Sequence, residues 1–223
     1  MKLVVVGGNA RKAGKTLAVS GIIRGLRSLE WTAVKITPHF HGFEPVRKSG
    51  TARTADRGFL LAEERYPPGK GDTARYLAAG AKRALLLRVQ PGSMAEALPA
   101  LRQELRGARF VVIESNSILN YLKPTVALFV LAEARRGIKP SARRLLRHAD
   151  ALVRVGRSHD DPSRREKSPD LFRTRPTFLA SRGERINPML CRFVRRRLAD
   201  AEGDPWPRVS SPTHELKEPP WLH

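Results

Sequence analysis

The sequence predicts an α/β protein built on a mostly parallel, doubly wound sheet. Short apolar or β-branched segments such as 2–8 and 126–133 alternate with longer segments of helical period along most of the chain. The first segment, KLVVVGG, is a continuous apolar run of the kind that parallel sheets bury on both faces. Alternation of strands and helices favours parallel strands joined by helical crossovers.

The elements follow from their apolar patterns. The helix after Thr16 carries one apolar stripe, and Asn187 followed by Pro188 is a helix start in which asparagine caps and proline takes the first position. The predicted strands are 2–8, 32–37, 84–89, 109–115, 126–133, 151–156 and 177–181, and the predicted helices begin at Thr16 and Pro188 or span 72–81, 93–105 and 141–149.

Two segments do not fit this alternation. Residues 38–71 form a long connection without clear periodicity, which in a compact domain indicates a functional loop. Residues 203–223 are rich in proline and contain Trp206 and Trp221, so we expect an irregular tail that packs on the body or meets a partner. The predicted organisation is one α/β domain over 1–202 followed by this tail.

Composition limits the classes of function. The chain has 42 Lys and Arg against 21 Asp and Glu, a formal net charge of +21, which favours anionic partners unless the surface is simply rich in arginine. No apolar run reaches membrane-spanning length, so no membrane partner is expected. The single cysteine, Cys191, suits a reducing compartment, and we expect the protein to be cytoplasmic.

The segment VVVGGNARKAGKT predicts a phosphate-binding loop. It follows a buried strand and ends in Gly14-Lys15-Thr16, where a helix begins and exposes amide donors. Lys15 would reach the β- and γ-phosphates, and the Thr16 hydroxyl would bind Mg²⁺. The alternative is an ordinary basic turn between a strand and a helix. The residues expected to line GTP or ATP are Gly8, Asn9, Ala13, Gly14, Lys15, Thr16 and Leu17.

The loop departs from the consensus spacing by one residue. Gly8 precedes the consensus position of the first glycine, where this chain has Asn9. We expect Asn9 to substitute because asparagine tolerates left-handed backbone conformations.

Polar residues end two further strands. Lys35 leaves the second strand towards the ligand crevice and is a candidate catalytic residue together with Lys15 and Thr16, although a solvated lysine is an equal alternative. Glu114 closes a buried strand, the position from which a nucleotide-binding protein holds Mg²⁺. The predicted metal ligands are Thr16, Glu114 and Asp72, while His39 and His41 are expected to contact phosphate or substrate rather than a metal.

These motifs resemble the B-type adaptor proteins of molybdopterin guanine dinucleotide biosynthesis, a P-loop NTPase family. The resemblance rests on VVVGGNARKAGKT, on Lys35 leading into HGF, and on KGDTARYLAAGAKRALL, and it covers about the first 130 residues. It implies a P-loop fold, GTP or ATP with Mg²⁺, a molybdopterin-type cofactor near Lys35 and a nucleotidyltransferase partner. Whether the protein forms a homodimer stays an open question at this point.

A second resemblance is to dethiobiotin synthetase. That family shares the longer G-x-x-x-x-x-G-K-T loop, the second-strand lysine and the strand-ending glutamate. It implies an ATP-dependent ligase in which Lys35 binds a small carboxylated substrate.

The sequence therefore favours a Mg²⁺-dependent nucleotide-binding protein, either a weak NTPase or an adaptor. The first rival is the ligase, and the second is a non-enzymatic basic protein that binds a partner or nucleic acid. Nucleic acid is the less favoured ligand because aromatic residues make up only 6% of the chain and no stacking motif is visible.

Overall fold

A computed structural model gives the fold of this chain. It describes residues 1–10, 12–38, 58–65, 69, 71–132, 142, 146–156, 174–181, 187–201 and 205–206.

One eight-stranded sheet forms the centre of the described structure, with the strand order β3-β4-β2-β5-β1-β6-β7-β8. All neighbouring strands are parallel except the edge strand β3, which is antiparallel to β4. The strands are β1 (Lys2–Gly8), β2 (Thr32–Thr37), β3 (Phe59–Glu64), β4 (Arg83–Val89), β5 (Phe110–Glu114), β6 (Val126–Ala132), β7 (Ala151–Gly156) and β8 (Thr177–Ser181).

Helices cover both faces of this sheet. They are α1 (Lys15–Gly25), α2 (Asp72–Ala78), α3 (Met94–Glu104) and α4 (Pro188–Asp200), with single 3₁₀ turns at Arg27–Leu29 and Ile118–Asn120. Residues 142 and 146–148 are also helical, within the predicted helix 141–149. The α4 start is as expected, because the Asn187 side chain accepts a hydrogen bond from the amide of Met189.

Alternate residues of the central strands build two apolar cores. In β1, Val4 and Val6 pack under α1, α2 and α4, whereas Leu3 and Val5 face α3 on the opposite side. All four side chains are fully buried. The continuous apolar run at 2–8 therefore reflects a strand covered by helices on both faces, as the doubly wound prediction requires.

The prediction for residues 38–71 is wrong over Phe59–Glu64. These six residues are the edge strand β3, whose first four side chains are buried, and β3 pairs with β4 from Phe59↔Val89 to Glu64↔Ala84. Residues 39–57 lie outside the described part of the chain. The predicted strand bounds elsewhere agree with the structure to within one residue.

One tryptophan of the predicted tail packs against the domain. Trp206 is 8% exposed and belongs to the core on the α3 face, where the Arg102 guanidinium lies 5.8 Å from its ring centroid. The amide of Lys123 donates to the carbonyl of Pro205, which ties this point of the chain to the turn before β6. Trp221 lies outside the described residues.

Among the described residues, no helix is both long and apolar enough to cross a membrane.

Burial of Trp206 predicts a contribution to stability. Trp206→Ala should lower the free energy of unfolding by about 3 kcal/mol, because it removes a large buried ring and leaves a cavity. Leu179→Ala is the control: Leu179 is 47% exposed on the edge strand β8, so its truncation should change that free energy by at most about 0.5 kcal/mol. Urea denaturation followed by circular dichroism measures both. Equal effects would show that Trp206 adds nothing to the core.

Candidate functional site: a phosphate-loop crevice around Glu114

Three adjacent strands bring the predicted site residues to one edge of the sheet. β2, β5 and β1 are neighbours, and Glu114 is in register with both Lys35 of β2 and Val6 of β1. Since all three strands are parallel, their carboxyl ends meet where ligands bind in open α/β sheets. Lys35, Glu114 and the loop after β1 therefore face the same crevice.

Glu114 is the most connected side chain of this crevice. Its side chain is only 2% exposed, and its Oε2 accepts hydrogen bonds from the hydroxyls of Thr16 (2.9 Å) and Tyr76. Its Oε1 accepts from the Lys35 ammonium. Together the three donors compensate the cost of burying a carboxylate, which is large for an unpaired charge.

Lys35 bridges two carboxylates. Besides Glu114, its Nζ lies 3.0 Å from Oδ2 of Asp72 at the start of α2. Burial by itself lowers the pKa of Lys35, but the two carboxylates outweigh it and raise this pKa above the ordinary lysine value. A raised pKa means that the charged pair stabilises the fold at neutral pH and is lost only as pH rises through that higher pKa.

Tyr76 is the contact that the sequence did not reveal. Its side chain is fully buried, and burial, reinforced by the Glu114 charge, raises the pKa of the phenol well above its ordinary value. The hydroxyl therefore stays protonated and donates to Glu114. α2 thus contributes two groups to the site, Asp72 and Tyr76, four residues apart on neighbouring turns.

The loop conformation depends on Gly14 and Lys12 rather than on Asn9. Both have positive φ, 97° at Gly14 and 59° at Lys12, whereas Asn9 is absent from the described left-handed residues. The expectation that Asn9 supplies this conformation is therefore wrong. A Cβ on Gly14 would also lie 2.8 Å from Cγ2 of Val155 on β7, so glycine is required here by both backbone and packing.

The start of the loop is held by the protein itself. The Asn116 side chain accepts from the amide of Gly8 (2.9 Å) and donates to the carbonyl of the same residue (3.0 Å), and the amide of Asn9 donates to the Val130 carbonyl. Gly8 also has no room for a side chain, because a Cβ would lie 2.6 Å from the Val130 carbonyl oxygen. Gly8 and Asn9 therefore shape the loop, and their amides are already used.

The free donors belong to the other end of the loop. The first hydrogen bond of α1 runs from the amide of Ala18 to the Gly14 carbonyl, so the amides of Lys15, Thr16 and Leu17 have no partner within the helix. These three amides and the positive end of the helix dipole favour an anion. The amides that are available for the predicted phosphate binding therefore belong to the second half of the loop.

Lys15 lies beside these amides. Its Nζ donates to the carbonyl of Ala10 at 2.7 Å, which folds the side chain back over the loop. Burial lowers the pKa of Lys15, and Glu114 opposes this shift by its negative charge. A half-buried ammonium whose hydrogen bond goes to a neutral carbonyl is only partly compensated, so an anion at this position would be stabilised by it.

Two predicted nucleotide contacts have apolar side chains that pack on the core. Ala13 is 2% exposed and can offer only its backbone to a ligand, whereas Leu17 is partly buried against the same apolar cluster. His39 and His41 lie outside the described residues. Thr16, Glu114 and Asp72 do come together, linked through Lys35.

The donors at this crevice suit a magnesium ion. Thr16, Glu114 and Asp72 offer a hydroxyl and two carboxylates, and Mg²⁺ prefers oxygen ligands while keeping several of its waters. Both oxygens of Glu114 already accept hydrogen bonds, which suits contact with a metal through water. Among the described residues, no group of three or more His, Cys, Asp or Glu side chains forms a metal cage by itself.

Comparison with solved structures adds an independent result. The hydrogenase maturation factor HypB from Archaeoglobus fulgidus is similar over 88% of this chain and 90% of its own, with a TM-score of 0.52 and 13% sequence identity. The Zn(II)-bound triple mutant of the YjiA GTPase is similar over 96% of this chain and 67% of its own, with a TM-score of 0.50 and 10% identity. No protein-family description and no curated protein matches the sequence.

The similarity in fold adds to two observations on this chain. A glycine-containing loop opens a helix after β1, and the threonine of that loop donates a hydrogen bond to a glutamate at the end of a neighbouring strand. The chain has the P-loop NTPase fold. In a P-loop NTPase fold, the loop after β1 and the end of a neighbouring strand face each other, as Thr16 and Glu114 do here. At 10–13% identity the comparisons show the fold, and the resemblance to the molybdopterin adaptors remains a proposal.

The Tyr76 hydroxyl should contribute measurably to stability. Tyr76→Phe keeps the ring but removes one donor from a buried carboxylate, so the free energy of unfolding should fall by about 2 kcal/mol. Tyr121→Phe is the control, since the Tyr121 hydroxyl makes no hydrogen bond within the part of the chain that the structure describes. Thermal and urea denaturation of both variants test this. If Tyr76→Phe is as harmless as Tyr121→Phe, the hydroxyl does not support Glu114.

Proposed function

We propose that this protein binds GTP or ATP together with Mg²⁺ in the crevice around Glu114, and that it hydrolyses the nucleotide slowly. The observation that carries the proposal is the hydrogen bond of 2.9 Å from the Thr16 hydroxyl to Glu114, beside the Lys15 ammonium and the free amides of α1. This contact joins the loop to the carboxylate strand, which a basic turn without a ligand would not require.

Each residue has a defined part in this proposal. The amides of Lys15, Thr16 and Leu17 bind phosphate oxygens, and the Lys15 ammonium neutralises the β- and γ-phosphates. Thr16, Glu114 and Asp72 would hold the metal with a hydroxyl and two carboxylates. The metal supplies charge neutralisation at the phosphates.

Charge balance explains why the nucleotide needs its metal. Lys15 and Lys35 carry two positive charges, and Glu114 and Asp72 carry two negative ones within the same cluster. The protein side chains there are thus neutral in sum, and a triphosphate brings several negative charges. A divalent cation compensates them.

Slow turnover follows from the groups present. Phosphoryl transfer is catalysed mainly by positioning and charge. The carboxylates of the described crevice are held in contacts to Lys35, Thr16 and Tyr76, so neither is poised to activate water. A partner that supplies a further charge would accelerate the reaction.

The second ligand of this proposal lies near Lys35. The resemblance to the molybdopterin adaptors suggests an anionic pterin cofactor and a nucleotidyltransferase partner in the cytoplasm. Two structures of similar fold are a hydrogenase maturation factor and a GTPase, which keeps GTP and a role in enzyme maturation among the functions to test.

The ligase remains the alternative, on two observations. Five residues separate Gly8 from Gly14, and Lys35 bridges two carboxylates at the position where a dethiobiotin-type enzyme places its substrate lysine. Nucleotide turnover that requires a small carboxylated substrate would favour the ligase, whereas turnover without one favours the weak NTPase.

Lys15 should be essential for nucleotide but not for the fold. Lys15→Met removes the charge at the phosphates, and a charge-assisted contact of about 1.5–3 kcal/mol corresponds to at least about tenfold weaker binding. Without nucleotide, the free energy of unfolding should not fall, because partial burial already disfavours the charged form of Lys15 in the folded protein. Labelled Mg-GTP and Mg-ATP titrations, with urea denaturation, measure both.

The matched control is Lys82→Met. Lys82 is 62% exposed and pairs with Glu30 before β4, at the opposite edge of the sheet. Its loss should leave nucleotide affinity unchanged. A folded Lys15→Met protein with wild-type affinity would remove the phosphate-loop proposal.

Glu114 should determine the metal dependence. Glu114→Gln keeps the shape but loses the charge, so nucleotide binding in a chelator should persist while the gain in affinity on adding Mg²⁺ shrinks. Glu63→Gln, at a carboxylate held by Arg83 on the β3 edge, should keep the full gain. If the gain survives in Glu114→Gln, Glu114 is structural and Asp72 is the remaining candidate ligand.

A further inference from the structure

A groove lies between α1 and α4, away from the phosphate loop. Its open volume is about 720 Å³, and four exposed arginines line it: Arg24, Arg27, Arg192 and Arg195. Leu26 and Cys191, both buried, form part of its floor. The arginines form two pairs spaced by three residues. Arg24 and Arg27 lie at the end of α1 and the turn after it, and Arg192 and Arg195 lie on one face of α4.

The groove arginines differ from the other arginines of α4 in their contacts. Arg197 donates to Asp150, and Arg196 pairs with Asp200 at 3.9 Å. Arg192 and Arg195, on the same helix, have no carboxylate partner among the described residues, and neither do Arg24 and Arg27. Four arginines without a carboxylate partner in the described part of the chain therefore line one concave surface.

This surface is separate from the nucleotide crevice. Lys15 begins α1, whereas Arg24 lies in its last turn, and an 11-residue helix is about 16 Å long. A ligand in the groove would leave the phosphate loop and Glu114 open. Binding of a ligand in the groove is therefore independent of nucleotide binding.

We propose that this groove binds an acidic segment of a partner protein. Guanidinium groups match carboxylates in paired hydrogen bonds, and the apolar floor suits aliphatic side chains between the acidic ones. The described lining has no aromatic ring on which a nucleic-acid base could stack. A second copy of this chain is disfavoured because each copy has a net charge of +21.

A labelled peptide of alternating Glu and Leu tests the groove, with binding measured by fluorescence anisotropy at physiological salt. Wild type should bind it saturably. Two double variants, one for each side of the groove, should each weaken binding by about five- to tenfold, since each removes two exposed ion pairs with the peptide. They are Arg192→Ala/Arg195→Ala and Arg24→Ala/Arg27→Ala. Arg106→Ala/Arg196→Ala removes the same charge outside the groove and should retain the affinity.

Cys191 provides a second readout without any mutation. It is the only cysteine of the chain and lies in the groove floor, so bound peptide should slow its modification by a thiol reagent. Lys15→Met should leave peptide binding intact even where it abolishes nucleotide binding.

Each contrary outcome overturns the proposal. Equal loss in the control variant would mean that binding follows net charge alone. An unchanged rate of Cys191 modification would place the peptide elsewhere. If the peptide does not bind, an acidic protein segment is excluded as the ligand. The ligand would instead be nucleic acid if a single-stranded oligonucleotide binds and the groove variants weaken that binding.

Discussion

The buried carboxylate of Glu114 is the interaction on which the rest of this structure depends. Glu114 is 2% exposed at the end of the central strand β5, and an uncompensated charge at that depth costs several kcal/mol. Its compensation comes from Thr16 of α1, Lys35 of β2 and Tyr76 of α2. One side chain therefore fixes the start of the phosphate-loop helix, the lysine strand and α2 relative to one another.

The same network has a consequence for ligands. Lys35 is shared between Glu114 and Asp72, so any anion or cation that enters the crevice changes the balance of this pair. A metal near the carboxylates competes with the Lys35 ammonium, whereas an anion attracts it. The two proposed ligands would thus be coupled through Lys35, without a separate moving element.

Much of the fold and part of the crevice could be predicted from the sequence. Continuous apolar runs located the parallel strands, and because the ends of parallel strands meet at one edge, Lys35 and Glu114 were expected there together. β3 was missed because its apolar run is only four residues long and lies within a long segment that otherwise lacks periodicity, and because it pairs antiparallel with β4, outside the parallel alternation of strands and helices. Tyr76 and the Asn116 clamp on Gly8 depend on tertiary packing between elements distant in sequence, which local periodicity does not contain.

Calorimetric titration of the wild-type protein with nucleotide, with and without Mg²⁺, tests the central claim most directly. The account predicts saturable binding of GTP or ATP at one site per chain, with clearly higher affinity when Mg²⁺ is present. Heat of binding that is absent for both nucleotides in a folded sample, or an affinity that Mg²⁺ does not change, would contradict it.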